Sequence, residues 1–192
     1  MKWISERISV KKHANFTTIV ISPTKNLWTT LLLGSWLSMW FMIGVLVISS
    51  FYMFDLKNQE QLILWVFLSF WLFYFIRIGR TFLWIHYGQE LIKLGEFSVD
   101  YKRSIFKYGK AHIIFHENIS GFSSHFPKEN SFESVWESSP WISGGERIFL
   151  ETKLKTYKIG RKLTAQEAHL LIDSIKTHVK KRKAFLEKND TI

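Results

Sequence analysis

Two long apolar runs interrupt a chain whose remaining segments alternate between apolar and polar residues. The first run, Leu27 to Phe54, contains no charged residue. A helix crosses a bilayer with about 20 apolar residues, and soluble helices of such length keep a polar face. The run therefore predicts a transmembrane helix rather than a buried core helix. The second run, Gln61 to Ile76, is followed by Arg77 and Arg80, after which apolar character resumes to Ile85. It predicts a second span, with both guanidinium groups snorkelling to the headgroups while their stems stay in the apolar layer. Trp28, Trp71, Trp84, Tyr52 and Tyr74 suit a membrane with aromatic belts, Trp71 and Tyr74 at the deeper positions. Met1 to Asn26 is polar and strand-like, so the first run begins too late for a cleaved signal peptide.

The flanking segments read mostly as strands. Ser5–Val10 and Phe16–Ser22 are rich in Ile, Val, Thr and Phe, with a polar turn between them, and Pro23 ends the second. After the hairpin come Gln89–Leu94, Phe97–Phe106, Ala111–His116 and Ile119–Phe126, then Glu146–Thr152 and Leu154–Gly160 as a hairpin. Between the last two groups, residues 127–145 form a long irregular stretch rich in Ser, Pro and Gly. The closing element is a helix over about residues 164–187. Thr164 and Glu167 fit a capping box, and Ala168, Leu171, Ile172, Ile175 and Val179 recur at helical spacing on one face.

Two N-terminal strands cannot make a domain alone. The economical architecture is an α+β membrane protein. Residues 1–26 and 86–192 together build one small sheet or barrel of about seven strands with a C-terminal capping helix. The transmembrane hairpin (27–85, spans of about 27–53 and 61–85) is inserted between strands 2 and 3. Five basic residues precede Leu27, only Lys57 lies in the connecting loop, and the other twenty follow Ile76. By the positive-inside rule both termini are cytoplasmic and the short loop faces out.

Charge and composition narrow the chemistry. A formal net charge of +10 over 192 residues implies an anionic neighbour. The absence of cysteine excludes disulfides, thiolate zinc sites and cysteine nucleophiles.

Several stretches carry a family resemblance: Ile21–Trp28 leading into the first span, Gly88–Leu91 after the second, Glu146–Leu150, and above all Tyr157–Ala168, where a strand runs through Gly160 into a capped helix. On these the chain resembles uncharacterised bacterial membrane proteins that combine a pleckstrin-homology-like domain with a two-helix transmembrane hairpin. The resemblance implies a PH-like fold in the bacterial inner membrane and departs from the family over Phe126 to Gly145. It brings no catalytic residue with it.

Candidate sites emerge from charge and aromatic placement. Lys102, Arg103, Lys107 and Lys110 flank one predicted hairpin; Lys153, Lys155, Lys158, Arg161 and Lys162 flank the last. Facing a membrane, each would attract anionic lipid by about 1 kcal/mol. Phe126, Phe132, Trp136 and Trp141 are large residues in a Ser/Gly/Pro setting, suited to headgroups or a partner. Glu129, Glu133 and Glu137 read as the solvated face of a mobile loop. Gly34 and Ser38 form a small-xxx-small pair that would allow close helix approach. His112 and His116 share a strand face but stand about 13 Å apart at that spacing, too far for one metal, so neither metal nor cofactor is expected. No nucleophile elbow, P-loop or dinucleotide fingerprint occurs.

The expected function is that of a membrane-anchored, non-enzymatic interaction or scaffold module. Its partners would be anionic lipid headgroups and a membrane protein, not nucleic acid. The alternative is a membrane-surface enzyme or enzyme subunit acting on lipid or an anionic substrate.

Overall fold

The strands on either side of the apolar hairpin pair with one another. In the computed structural model, which describes residues 2–189, β1 (Lys2–Trp3), β2 (Ile8–Lys12) and β3 (Thr17–Ile21) precede helices α1 (Leu27–Met53) and α2 (Asn58–Tyr87). Next come β4 (Gly88–Leu94), β5 (Ser98–Ile105) and β6 (Ala111–Phe115), and the six strands form one antiparallel meander. β3 lies against β4 in a register running from Thr17↔Leu94 to Ile21↔Glu90. A 3₁₀ turn (His116–Asn118) leads to a second antiparallel sheet of β7 (Ile119–Ser124), β8 (Glu146–Thr152) and β9 (Thr156–Arg161). A short helix α3 (Phe132–Ser138) lies between β7 and β8, and α4 (Ala165–Asn189) closes the chain.

The hairpin therefore comes after the third strand, not the second. The extra strand is β1, which holds to β2 through only Lys2↔Val10 and Trp3↔Ser9. Two residues are too short to show a period. A second departure is α3, inside the stretch expected to be irregular. Ser131 caps it, its hydroxyl accepting from the Ser134 backbone N–H at 3.1 Å.

The chain divides into two compact units. One holds residues 1–24, 87–139 and 144–192; the other holds 25–86 and 140–143. In the first, both sheets and α4 enclose one core. Ile19, Ile92, Val99 and Ile114 of the first sheet join Ile148, Leu150 and Ile159 of the second. The expected face of α4 (Ala168, Leu171, Ile172, Ile175, Val179) is buried throughout. The capping box is formed: Thr164 N–H donates to Glu167 Oε2 at 3.0 Å, and Glu167 N–H to Thr164 Oγ1 at 3.2 Å.

In the second unit, α1 and α2 are both long and apolar enough to cross a membrane. Asn26 caps α1 through the Trp28 backbone N–H. The helices are joined by reciprocal indole bonds, Trp40 Nε1 to Trp71 O at 3.1 Å and Trp71 Nε1 to Trp40 O at 2.7 Å. In an apolar medium these satisfy two donors that would otherwise be costly. The Trp71 indole lies against buried Gly44, where a Cβ would overlap the ring. Gly34 has ordinary van der Waals space beneath Phe82, so close approach is made at Gly44 rather than at the Gly34–Ser38 pair.

Gly44→Leu should therefore displace Trp71 and cost about 1–3 kcal/mol of overpacking, whereas Gly34→Ala should be tolerated. Thermal unfolding of the detergent-solubilised protein compares the two.

Candidate functional site

Period-two alternation along β4 places Gly88, Glu90, Ile92 and Leu94 on the buried face. Glu90 is 1% exposed. Its carboxylate accepts from the backbone N–H groups of Gly160 (2.7 Å) and Arg161 (3.1 Å) on β9 and from the Tyr101 hydroxyl (3.1 Å) on β5. Gly160 takes φ +78°, a left-handed conformation that a side chain would strain, and a Cβ there would overlap Leu163. Burial pushes the Tyr101 phenol well up, with the Glu90 charge adding to it.

Outward from this link, an ionic layer joins both sheets. Glu146 Oε1 accepts from Arg103 Nη2 at 2.9 Å and from Arg161 Nε at 3.1 Å. Burial alone would raise the Glu146 pKa, but the Arg161 charge and hydrogen bond, with Arg103, hold it below the ordinary carboxylate value. Burial likewise opposes the Arg103 charge, and Tyr101, Glu90 and Glu146 prevail to raise its pKa. Arg7 donates to the carbonyls of Ser22, Lys162 and Arg161 and lies 3.8 Å from Glu167. Burial lowers its pKa against the pull of Glu167 and Glu90.

Above the layer opens a cleft of about 430 Å³ between the β5–β6 and β8–β9 hairpins. Tyr101, Arg103, Lys110 and His112 line one side; Glu146, Lys155, Thr156, Tyr157 and Lys158 line the other. Across it the His112 and Tyr157 rings stand 5.6 Å apart. Lys155 Nζ lies 5.3 Å from the Tyr157 ring centre and Lys158 Nζ 5.5 Å from that of Phe149. Glu146 is occupied by two guanidinium groups. Among the described residues no carboxylate pairs with Lys110, Lys155 or Lys158, so the cleft carries unneutralised positive charge.

The two basic sets seen in the sequence thus converge in part. Arg103, Lys110, Lys155 and Lys158 line the cleft, and Arg161 meets it from behind through Glu146. Lys102 donates to the Lys107 carbonyl at 2.9 Å in the β5–β6 turn. Lys107 and Lys153 are exposed at turns outside the cleft lining. Lys162 turns inward with Nζ 3.5 Å from Ser139 O; burial lowers its pKa, against the pull of Glu137. Tyr101, His112, Glu146, Thr156 and Tyr157 join the site without any sequence motif that groups them. The one signal for them is Arg103 falling in register with the buried Val99 and Tyr101.

The aromatic loop residues separate. Phe126 packs against the core under the Arg147 guanidinium, 5.8 Å from its ring centre. Trp141 belongs to the hairpin unit, edge-on to Trp36 at 5.5 Å and packed with Leu33, Ile78 and Ile85. Phe132 and Trp136 stay exposed on α3, their rings stacked 6.1 Å apart. Arg77 and Arg80 are exposed on α2. His116 is not on the strand with His112. It is buried in the 3₁₀ turn, 6.0 Å from His178, and both rings reach the Gly95 carbonyl. No cluster of three or more metal-ligating side chains occurs among the described residues. Comparison with protein-family models, curated proteins and solved structures finds no match.

A carboxylate whose pKa is depressed in the folded state adds stability above its unfolded value and loses it as pH falls through the folded one. Acid titration below about pH 4.3, the ordinary glutamate value, should therefore destabilise the wild type progressively. Glu146→Gln should flatten this dependence, read as the unfolding midpoint against pH.

Proposed function

We propose that the protein is a membrane-anchored interaction module. Its hairpin crosses the membrane, and its PH-like domain on the cytoplasmic side takes an anionic group, a phospholipid headgroup, in the basic cleft. The observation that carries this reading is the convergence of Lys110 with Lys155 and Lys158, from hairpins distant in sequence, on one cleft where, among the described residues, no carboxylate forms an ion pair with them. Two antiparallel sheets sharing a core with a terminal helix support the PH-like assignment. The concentration of basic residues outside the short loop supports the orientation, and the bacterial inner membrane is the location that fits the family resemblance.

The cleft also gathers titratable groups, which an enzyme would need. Glu146 is spent on two guanidinium groups and Tyr101 on Glu90; beside His112 and Tyr157 the groups left facing the opening are three lysines, a set that suits binding of an anion over proton transfer.

Replacing Lys110, Lys155 and Lys158 together by Gln should weaken binding to anionic phospholipid about 100-fold, from about 1 kcal/mol per residue. Wild-type and variant protein in nanodiscs, titrated with soluble short-chain phosphatidylglycerol or phosphatidylcholine, test this; equal affinity for the two lipids would remove the proposal. The cysteine-free chain also permits a topology test. Asn58→Cys should react with an impermeant maleimide in intact cells, and Leu154→Cys should react only after the membrane is opened.

A further inference from the structure

Helix α3 carries an apolar face that the cleft does not use. At about 100° per residue, Phe132, Val135 and Trp136 fall within one arc, and they are 81%, 64% and 52% exposed. The acidic residues point elsewhere and are paired: Glu137 with Arg147 at 2.6 Å and Glu133 with His125 at 3.3 Å. These contacts tie the polar side of the helix to its own unit and leave aromatic carbon outward.

The segment C-terminal to α3 indicates what covers that face. The chain passes through Pro140 to Trp141, which packs with Leu33, Trp36, Ile78 and Ile85 in the hairpin unit; its carbonyl accepts from Thr81 Oγ1 at 3.4 Å. Thr81 lies about 30 Å along α2 from Gln61, where the second apolar run begins, at about 1.5 Å per residue, which puts it at the edge of a hydrocarbon layer of about 30 Å. Arg77 and Arg80 flank the same level. Trp141 thus marks the boundary at the basic end of the hairpin, and covalent chain limits Trp136 to about 17 Å from it.

We propose that the Phe132–Val135–Trp136 face of α3 inserts into the cytoplasmic headgroup layer as a second, interfacial contact beside the hairpin. The Trp136 indole, with its polar N–H, favours that layer, and Phe132 and Val135 beside it add apolar area to bury there. This inference rests on the hairpin crossing the membrane.

The test uses full-length protein in liposomes with single cysteines carrying the fluorophore NBD. The label goes at Val135→Cys, which keeps both aromatic rings. Asp173→Cys, on the exposed side of α4 away from the cleft residues, reports a water-facing site and Ser69→Cys the outward surface of α2. The Val135 label should emit to the blue of the Asp173 label, be quenched by lipids brominated near the headgroup, and resist iodide present on both sides. Adding Phe132→Ser and Trp136→Ser should abolish the lipid quenching. Quenching by iodide alone would place the face in water, and protection from both quenchers would mean that protein covers it; either overturns the proposal. If the Ser69 label escapes quenching by lipids brominated deep in the acyl chains, where its depth on α2 would place it, the membrane reading itself fails. Lipid quenching at Ser69 without it at Val135 rejects only the α3 contact.

Discussion

The Glu90 carboxylate holds the two sheets in one arrangement. It leaves β4 on the buried face and accepts two backbone N–H groups from the end of β9, with the Tyr101 hydroxyl as a third donor. A buried charge is costly unless its hydrogen bonds are complete, so the fold is committed to the geometry that supplies them. That geometry requires the left-handed turn at Gly160. It sets the direction in which the chain leaves β9 for the Thr164 cap of α4, and it fixes Arg161 against Glu146. The cleft is the outer rim of this buried link, and its shape depends on how β5 and β9 are joined beneath it.

Much of the fold was legible because it is periodic. Uninterrupted apolar length marked α1 and α2, i to i+3 and i+4 spacing marked the buried face of α4, and the Thr164–Glu167 pair marked its start. The pairing of β3 with β4 across the hairpin was implied by the need of two short strands for partners. What escaped was short or long-range. β1 has two residues, and α3 has seven with only Ser131 to announce it. The close helix approach at Gly44 depends on Trp71 in another helix, which no spacing within α1 reveals.

The site was legible in parts but not as a whole. Both basic sets were visible in the sequence, yet charge along a chain does not say which lysines share a cavity. Lys110 and Lys155 line one cleft because the two sheets share a core and are linked through Glu90 and Glu146, and Lys102, one position before Arg103, falls on the opposite side of β5. The Glu90 link itself had a signal: in the alternation of Gly88, Glu90, Ile92 and Leu94, a carboxylate occupies a core register. Such a residue announces a buried partner without naming it.

The place of the hairpin in the chain has a consequence for biogenesis. β3 pairs along its length with β4, yet the ribosome makes the whole of α1 and α2 between them. At about 5–20 residues per second, β2 and β3 wait for several seconds without their β4 partner while the two helices are made. Sheet completion thus waits for synthesis of the whole hairpin. A chain that stalls at this point exposes Ile8, Ile19 and Ile21 with nothing to cover them, a ready substrate for chaperones and proteases.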